Sequence, residues 1–250
     1  MRGLVIAIAV ALAGACPGIS RAEMPAQCRV VEHQMDHDVV LPRAAKAVAD
    51  KKLDVLVIGA GSSTLPGSGA AKAYPARLEA ALTEKLPGVA VKVTTDVKPG
   101  RTAAESLKPL IKDLEAKPAV TIWQTGTVDA MRSVDVDAFS VALDQGIDAA
   151  KAGGSDIILV NAQYSPRTES IIALGAYSDN MRWAALRKEI PLFDRFNVMK
   201  LWAELGTFDF TETTRRLDIA EQVHDCIGRL LAYLIVTGVK KEQPPANGVR

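Results

Sequence analysis

Two hydrophobic periodicities alternate along most of this chain. Short runs rich in apolar and β-branched residues predict five strands, at residues 53–59, 89–95, 119–125, 156–162 and 191–194. Between these runs, apolar residues recur every three or four positions, which predicts amphipathic helices. The stripes are Leu78, Leu82 and Leu86; Leu107, Leu110, Ile111 and Leu114; Phe139, Leu143 and Ile147; Met181, Ala184, Ala185 and Ile190; and Ile227, Leu230, Leu231, Leu234 and Ile235.

This alternation predicts the fold class. Strands that alternate with helices form a parallel sheet with right-handed crossovers, and 250 residues suffice for one domain with a full core. We therefore expect an α/β protein with three α/β/α layers and a five-stranded, flavodoxin-like parallel sheet. Its predicted segments are a signal peptide (1–22), a polar lead-in (23–50), the folded domain (51–238) and a disordered tail (239–250).

The amino terminus is typical of an export signal. A basic start is followed by an apolar run at 4–15 that is too short to cross a bilayer, and Ser20 and Ala22 occupy the positions that a signal peptidase reads. The mature chain is therefore expected to be secreted or periplasmic, without a transmembrane segment. Lipidation at Cys16 is a weaker alternative, because the leucine usual three residues before such a cysteine is missing.

Charge and cysteine content limit the expected partners of the protein and its expected disulfides. The chain has 30 basic and 29 acidic residues and no basic run, so nucleic acid and anionic membranes are not expected as partners. Once the signal is removed, Cys28 and Cys226 are the remaining cysteines. In an oxidising compartment they are expected to form a disulfide, and two separate buried thiols are the alternative.

The first strand ends in the small residues of 59–61, followed by Ser62. Ligands bind at this carboxyl edge of α/β sheets, so this serine is either a nucleophile or part of a phosphate cradle. A dinucleotide fingerprint needs a third glycine where Thr64 stands, and a helix that begins at once, whereas 65–69 is rich in proline and glycine. Nucleotide binding is therefore disfavoured.

A nucleophilic serine needs an imidazole base and an acid that orients it. Of the three histidines, His224 precedes the last helical stripe and has Glu221 three residues before it. His33 and His37 have a spacing that suits a metal if they are helical, but no third ligand is evident. We therefore expect neither a metal nor a cofactor.

Four short sequence blocks occur along the chain in the same order as the conserved blocks of one known family. Residues 60–64, 100–102, 126–129 and 221–224 resemble the G-D-S-x-T, G-x-T, G-x-N-D and D-x-x-H blocks of the SGNH, or GDSL-like, hydrolases. The resemblance implies that Ser62 is the nucleophile, His224 the general base and Glu221 its acid. It also implies that the backbone N–H groups of Ser62 and Gly100 bind the oxyanion.

One departure from the family pattern concerns the third block. Val128 stands where the family has an asparagine that donates to the oxyanion, and Thr127 or Asn161 is a candidate replacement beside the substrate cleft. The resemblance implies hydrolysis of a small-molecule or glycan ester. Two alternatives remain open: an O-acetyl esterase or acetyltransferase acting on a cell-envelope carbohydrate, and a non-catalytic binding protein that retains the hydrolase fold.

Overall fold

The structure is a computed structural model that describes residues 24–30, 40–212 and 214–242. The predicted signal peptide, Cys16, His33, His37 and residues 243–250 lie outside the described residues. The strands are β1 (Lys52–Gly59), β2 (Ala90–Val97), β3 (Val120–Gln124), β4 (Asp156–Val160) and β5 (Leu192–Phe193). The helices are α1 (Pro42–Ala49), α2 (Tyr74–Lys85), α3 (Ala103–Asp113), α4 (Thr127–Met131), α5 (Val136–Ala152), α6 (Pro166–Ile171), α7 (Leu174–Lys188), α8 (Arg195–Glu204) and α9 (Arg216–Glu242).

The five strands form one parallel sheet in the order β2-β1-β3-β4-β5. The predicted fold class is therefore confirmed. The register aligns the carboxyl ends of neighbouring strands, since Gly59 lies opposite Val97 and Gln124 lies opposite Val160. The loops that follow these strands consequently meet at one edge of the sheet, where α/β proteins place their ligands.

Helices cover both faces of the sheet. The layer of α1, α2 and α9 packs together on one side, whereas α3, α5 and α7 pack together on the other. The central strands are apolar and buried between the two layers, as expected for a parallel sheet covered on both faces. Within the described residues, no helix has both the length and the apolarity needed to cross a membrane.

Helix α9 is tied to the start of the described chain. Cys226 on α9 forms a disulfide with Cys28, with a Cα–Cα distance of 4.8 Å. This is the pairing that the sequence predicts. Further along, Gly228 allows α9 to approach α2 closely, because a Cβ at this position would lie 2.8 Å from the backbone nitrogen of Leu78.

Two segment boundaries differ from the sequence prediction. The lead-in contains α1, which starts at Pro42 and buries Ala44 and Ala45, although no helix is predicted there. Helix α9 begins earlier than its apolar stripe and ends later than residue 238, at Glu242. His224 consequently lies inside α9 rather than before it. Leu217, Ala220 and Val223 recur every three residues in the first turns of α9, so a periodic signal for this earlier start is present in the sequence.

Candidate functional site

Ser62 lies in the short 3-10 turn Gly61–Ser63 that directly follows β1. The half-buried side chain donates a hydrogen bond to Gln124 Oε1 at 3.1 Å and accepts one from Arg195 Nη1 at 3.3 Å. Gln124 ends β3, and Arg195 begins α8 immediately after β5. Three elements at the carboxyl edge therefore converge on this one hydroxyl.

The neighbouring Ser63 points into the protein instead. Its hydroxyl, which is almost fully buried, donates to Gln124 Oε1 at 2.5 Å and lies 3.0 Å from the hydroxyl of Tyr74. Glycine is required at position 59, because a Cβ there would lie 2.2 Å from Ser63 Oγ. Packing beneath the turn thus holds Ser63 in the core and leaves Ser62 facing the site.

The two backbone N–H groups predicted to bind an oxyanion lie in adjacent turns. A Cβ at Gly61 would be 3.8 Å from Pro99, so the turn after β1 rests on the turn after β2. Gly100 has a φ of +77°, in the region that favours glycine. Among the described residues, neither Ser62 N nor Gly100 N donates to an acceptor. Both groups are therefore available to a ligand.

His224 is 5% exposed and points its Nδ1 atom at the backbone of α2. Nδ1 accepts a hydrogen bond from the N–H of Tyr74 at 3.0 Å. Burial, and to a smaller extent the charge of Arg195, lowers the pKa of His224 to about 3, so the ring is neutral at physiological pH. Because Nδ1 is an acceptor, the proton of the neutral ring is on Nε2. No hydrogen bond within the described part of the chain joins His224 to Ser62.

Glu221 does not contact His224 as the resemblance implies. Its carboxylate forms an ion pair with Lys72 Nζ at 2.8 Å, and hydrogen bonds from Lys72 and Ser68 lower its pKa. The expected hydrogen bond to Nδ1 is not formed, since the Tyr74 N–H already occupies that atom. As placed here, Glu221 connects α9 to the 3-10 turn Ala70–Lys72 rather than orienting the imidazole.

The remaining cleft candidates differ in their surroundings. Thr127 and Val128 begin α4 and are half-buried, and Thr127 Oγ1 has no hydrogen-bond partner among the described residues. Asn161 is fully buried; it donates to Asp194 Oδ1 at 2.7 Å and accepts from the N–H of Phe196 at 3.0 Å. Asn161 therefore holds the start of α8 and does not face the cleft, contrary to expectation.

Three residues were not assigned to the site from the sequence. Tyr74, Gln124 and Arg195 form with Ser62, Ser63, Gln163 and His224 one hydrogen-bonded group at the carboxyl edge. Gln124 and Arg195 end or directly follow predicted strands, so the rule that ligands bind at strand carboxyl ends was a usable signal for both. No group of three or more metal-ligating side chains occurs in the part of the chain that the structure describes.

A model of the Non-GDSL lipase-like family matches residues 27–241. The chain belongs to this family. The family match and solved structures of the same fold confirm the resemblance to GDSL-like hydrolases stated above. No curated protein matches the chain with significance.

Three solved structures illustrate the shared fold. TesA is 21% identical, with a TM-score of 0.57 over 72% of this chain and 99% of TesA. A lipolytic protein of the G-D-S-L family from Desulfitobacterium hafniense is 16% identical, with a TM-score of 0.55 over 72% and 98%. A catalytic mutant of Axe2, an acetylxylan esterase from Geobacillus stearothermophilus, is 16% identical, with a TM-score of 0.58 over 75% and 94%. At these identities the likeness establishes the fold.

Proposed function

We propose that this protein hydrolyses an ester by acyl transfer to Ser62. The observation that carries the proposal is the contact between Ser62 Oγ and the buried guanidinium of Arg195. A cation at this distance lowers the free energy of the serine alkoxide and of the negative charge that develops on the attacked carbonyl. Membership of a lipase-like family supports the same reaction class.

In the proposed reaction, Ser62 Oγ attacks the carbonyl carbon of the ester while its proton passes to His224. The N–H groups of Ser62 and Gly100 bind the oxyanion, and His224 then protonates the departing alcohol. Water hydrolyses the acyl-enzyme in a second, equivalent step. To accept the serine proton on Nε2, His224 must carry its own proton on Nδ1. The hydrogen bond from the Tyr74 N–H to Nδ1 therefore has to break when substrate binds.

A second candidate, a binding protein that does no chemistry, is favoured by one specific observation. Neither of the two contacts of a serine triad is formed among the described residues, because His224 Nδ1 is used by Tyr74 and Glu221 is bound to Lys72. Val128 also supplies no side-chain donor to an oxyanion. A site of this kind would bind an ester or its acid without turnover.

Labelling with a fluorophosphonate, paired with hydrolysis of p-nitrophenyl acetate and acetylated xylooligosaccharides, separates the two candidates. We expect the wild-type protein to be labelled and active, and Ser62→Ala to lose both properties. Ser170→Ala is the control, since this exposed serine of α6 lies outside the hydrogen-bonded group of Ser62 and the variant should keep both properties. If the folded wild-type protein is neither labelled nor active, the hydrolase proposal is wrong and the binding protein is the better interpretation.

A further inference from the structure

Arg195 is a fully buried cation that has no carboxylate partner among the described residues. Its side chain is 1% exposed, and burial lowers its pKa to about 10, which leaves it charged at neutral pH. It donates to neutral acceptors only, namely the backbone oxygen and Oγ of Ser62 and Gln163 Oε1. Its Nε atom is buried and has no hydrogen-bond partner in the described residues.

Two other arginines, one buried and one half-buried, are paired with carboxylates. Arg101, 9% exposed, binds Asp96 Oδ1 at 2.9 Å, and the half-buried Arg182 binds Asp194 Oδ2 at 2.8 Å. No carboxylate of the described residues forms an ion pair with Arg195. An unpaired buried charge is costly to folding, and a bound anion would recover part of that cost.

Arg195 lines a cavity of about 570 Å³. This volume suits a small organic ligand. The apolar part of the wall consists of Tyr164, Met199, Phe210, Ile219 and Val223. His224 also lines the cavity, and Nε2–H is the remaining donor of its neutral ring.

The charges of the cavity leave one positive charge unbalanced. Arg167 and Arg216 are matched in number by Asp209 and Glu212, and the neutral His224 adds none. Asp209 accepts hydrogen bonds from Thr211, so it is turned toward its own loop. The remaining charge is that of Arg195, which favours a monoanion over a dianion such as a phosphate monoester.

We propose that this cavity binds an organic monocarboxylate, with its carboxylate on Arg195 and His224 and its apolar body against the aromatic and aliphatic wall. The planar guanidinium suits a carboxylate because its donors are arranged in a fixed fork. The proposal holds whether or not Ser62 is a nucleophile. If Ser62 does react, the bound carboxylate corresponds to the acid product, held when the proton of His224 is again on Nε2.

Calorimetric titration of the wild-type protein with hexanoate and with hexanamide tests the proposal without any turnover. The two compounds match in size and differ in charge. We expect hexanoate to bind at least about tenfold more tightly, which corresponds to roughly 1.4 kcal/mol. Equal binding of the two compounds, or binding of neither, would overturn the proposal while leaving hydrolysis at Ser62 untouched.

Two variants test whether Arg195 is the residue that binds the carboxylate. Arg195→Met should lose the preference for hexanoate, whereas Arg187→Gln, which removes an exposed arginine paired with Asp144, should keep it. Thermal unfolding establishes that each variant is folded. If Arg195→Met does not fold, Arg195→Lys takes its place: it keeps the charge without the fork, so an unchanged hexanoate affinity would count against the proposal and a weakened one would support it.

Discussion

The two halves of α9 do different work in this protein. The rear half, residues 226–239, is packed on several sides: Cys226 is bonded to Cys28, Gly228 lies against α2, and Gly238 lies against Leu41. The front half, residues 216–224, is mostly exposed or half-buried and lines the cavity of Arg195. His224 is at the junction of the two halves, so packing of the rear half fixes where its imidazole lies.

The rear half therefore contains contacts that stabilise the fold, whereas the front half contains groups that can contact a ligand. The rear half buries apolar side chains and tolerates no extra volume, as expected for a close-packed interior. The front half contributes Arg216, Ile219, Val223 and His224 to the wall of the cavity. The predictions below test that division, first where the expected loss of stability is largest.

The strongest test removes the covalent link of the rear half. Cys28→Ala combined with Cys226→Ala should lower the free energy of unfolding by about 2–5 kcal/mol, because the bond closes a loop across 198 positions of the sequence. Urea unfolding of the oxidised wild-type protein and of the double variant measures the loss. Reduced wild-type protein is the control and should unfold like the variant; an unchanged midpoint in both would contradict the assigned role.

A single methyl group should disturb the rear half nearly as much. A Cβ at Gly228 would lie 2.6 Å from Arg77 Cβ and 2.8 Å from Leu78 N, and backbone atoms cannot move away cheaply. Gly228→Ala should therefore destabilise by roughly 2–3 kcal/mol, although alanine favours a helix by about 1 kcal/mol over glycine. Gly175→Ala on α7 is the matched control, since nothing lies within 4 Å of its Cβ, and it should be neutral or stabilising. Similar effects of both changes would argue against close packing of α9 on α2.

His224, at the junction, should make stability depend on pH. Its pKa is about 3 in the folded protein, against an ordinary value of 6.5 for a histidine in the unfolded chain, so between these pH values only the unfolded chain binds the proton. The contribution of neutral His224 to the free energy of unfolding is therefore complete above about pH 6.5. It falls as the pH is lowered and is smaller by about 2 kcal/mol at pH 5.

The matched variant is His224→Asn, because Asn Oδ1 can accept the Tyr74 N–H but does not titrate. The difference in unfolding free energy between pH 7 and pH 5 should be about 2 kcal/mol smaller in the variant than in the wild type. Because the change between pH 7 and pH 5 is compared between the two proteins, the contributions of other titrating groups cancel. Equal pH dependence in the two proteins would mean that His224 is protonated in the folded state at pH 5.

The smallest effect is expected for Glu221 in the front half. Its partner Lys72 is 45% exposed and its own side chain 29% exposed, so losing this ion pair in Glu221→Gln should cost at most about 1 kcal/mol. Lys72→Met should have the same small effect on stability. Hydrolysis by Glu221→Gln should change little, because Glu221 does not hold His224; a loss on the order of 10⁴ in kcat would instead identify it as the orienting acid.

Strand positions and the parallel sheet were predictable from local patterns, and the pairing of Cys28 with Cys226 from the number of cysteines that remain after the signal. Periodicity reports which residues are buried, and burial is decided mainly by each residue's own hydrophobicity. The first helix was not predicted because it is only eight residues long and its inward-facing residues, Ala44, Ala45, Ala47 and Val48, are mostly alanines, which are a weak hydrophobic signal. The start of α9 was predicted too late, although Leu217, Ala220 and Val223 have helical spacing there.

The α/β fold, the carboxyl edge as the location of the site and Ser62 as the residue presented there are all predictable from the amino-acid sequence. The partners of the site residues depend on tertiary packing: Arg195 at the serine hydroxyl, the Tyr74 N–H on His224, and Lys72 on Glu221. Hydrophobic burial acts on each residue largely independently, so it can be recognised from the period of the sequence. A hydrogen bond or ion pair needs two residues far apart in the chain to be placed within a few tenths of an ångström of the right separation, and the fold alone sets that placement.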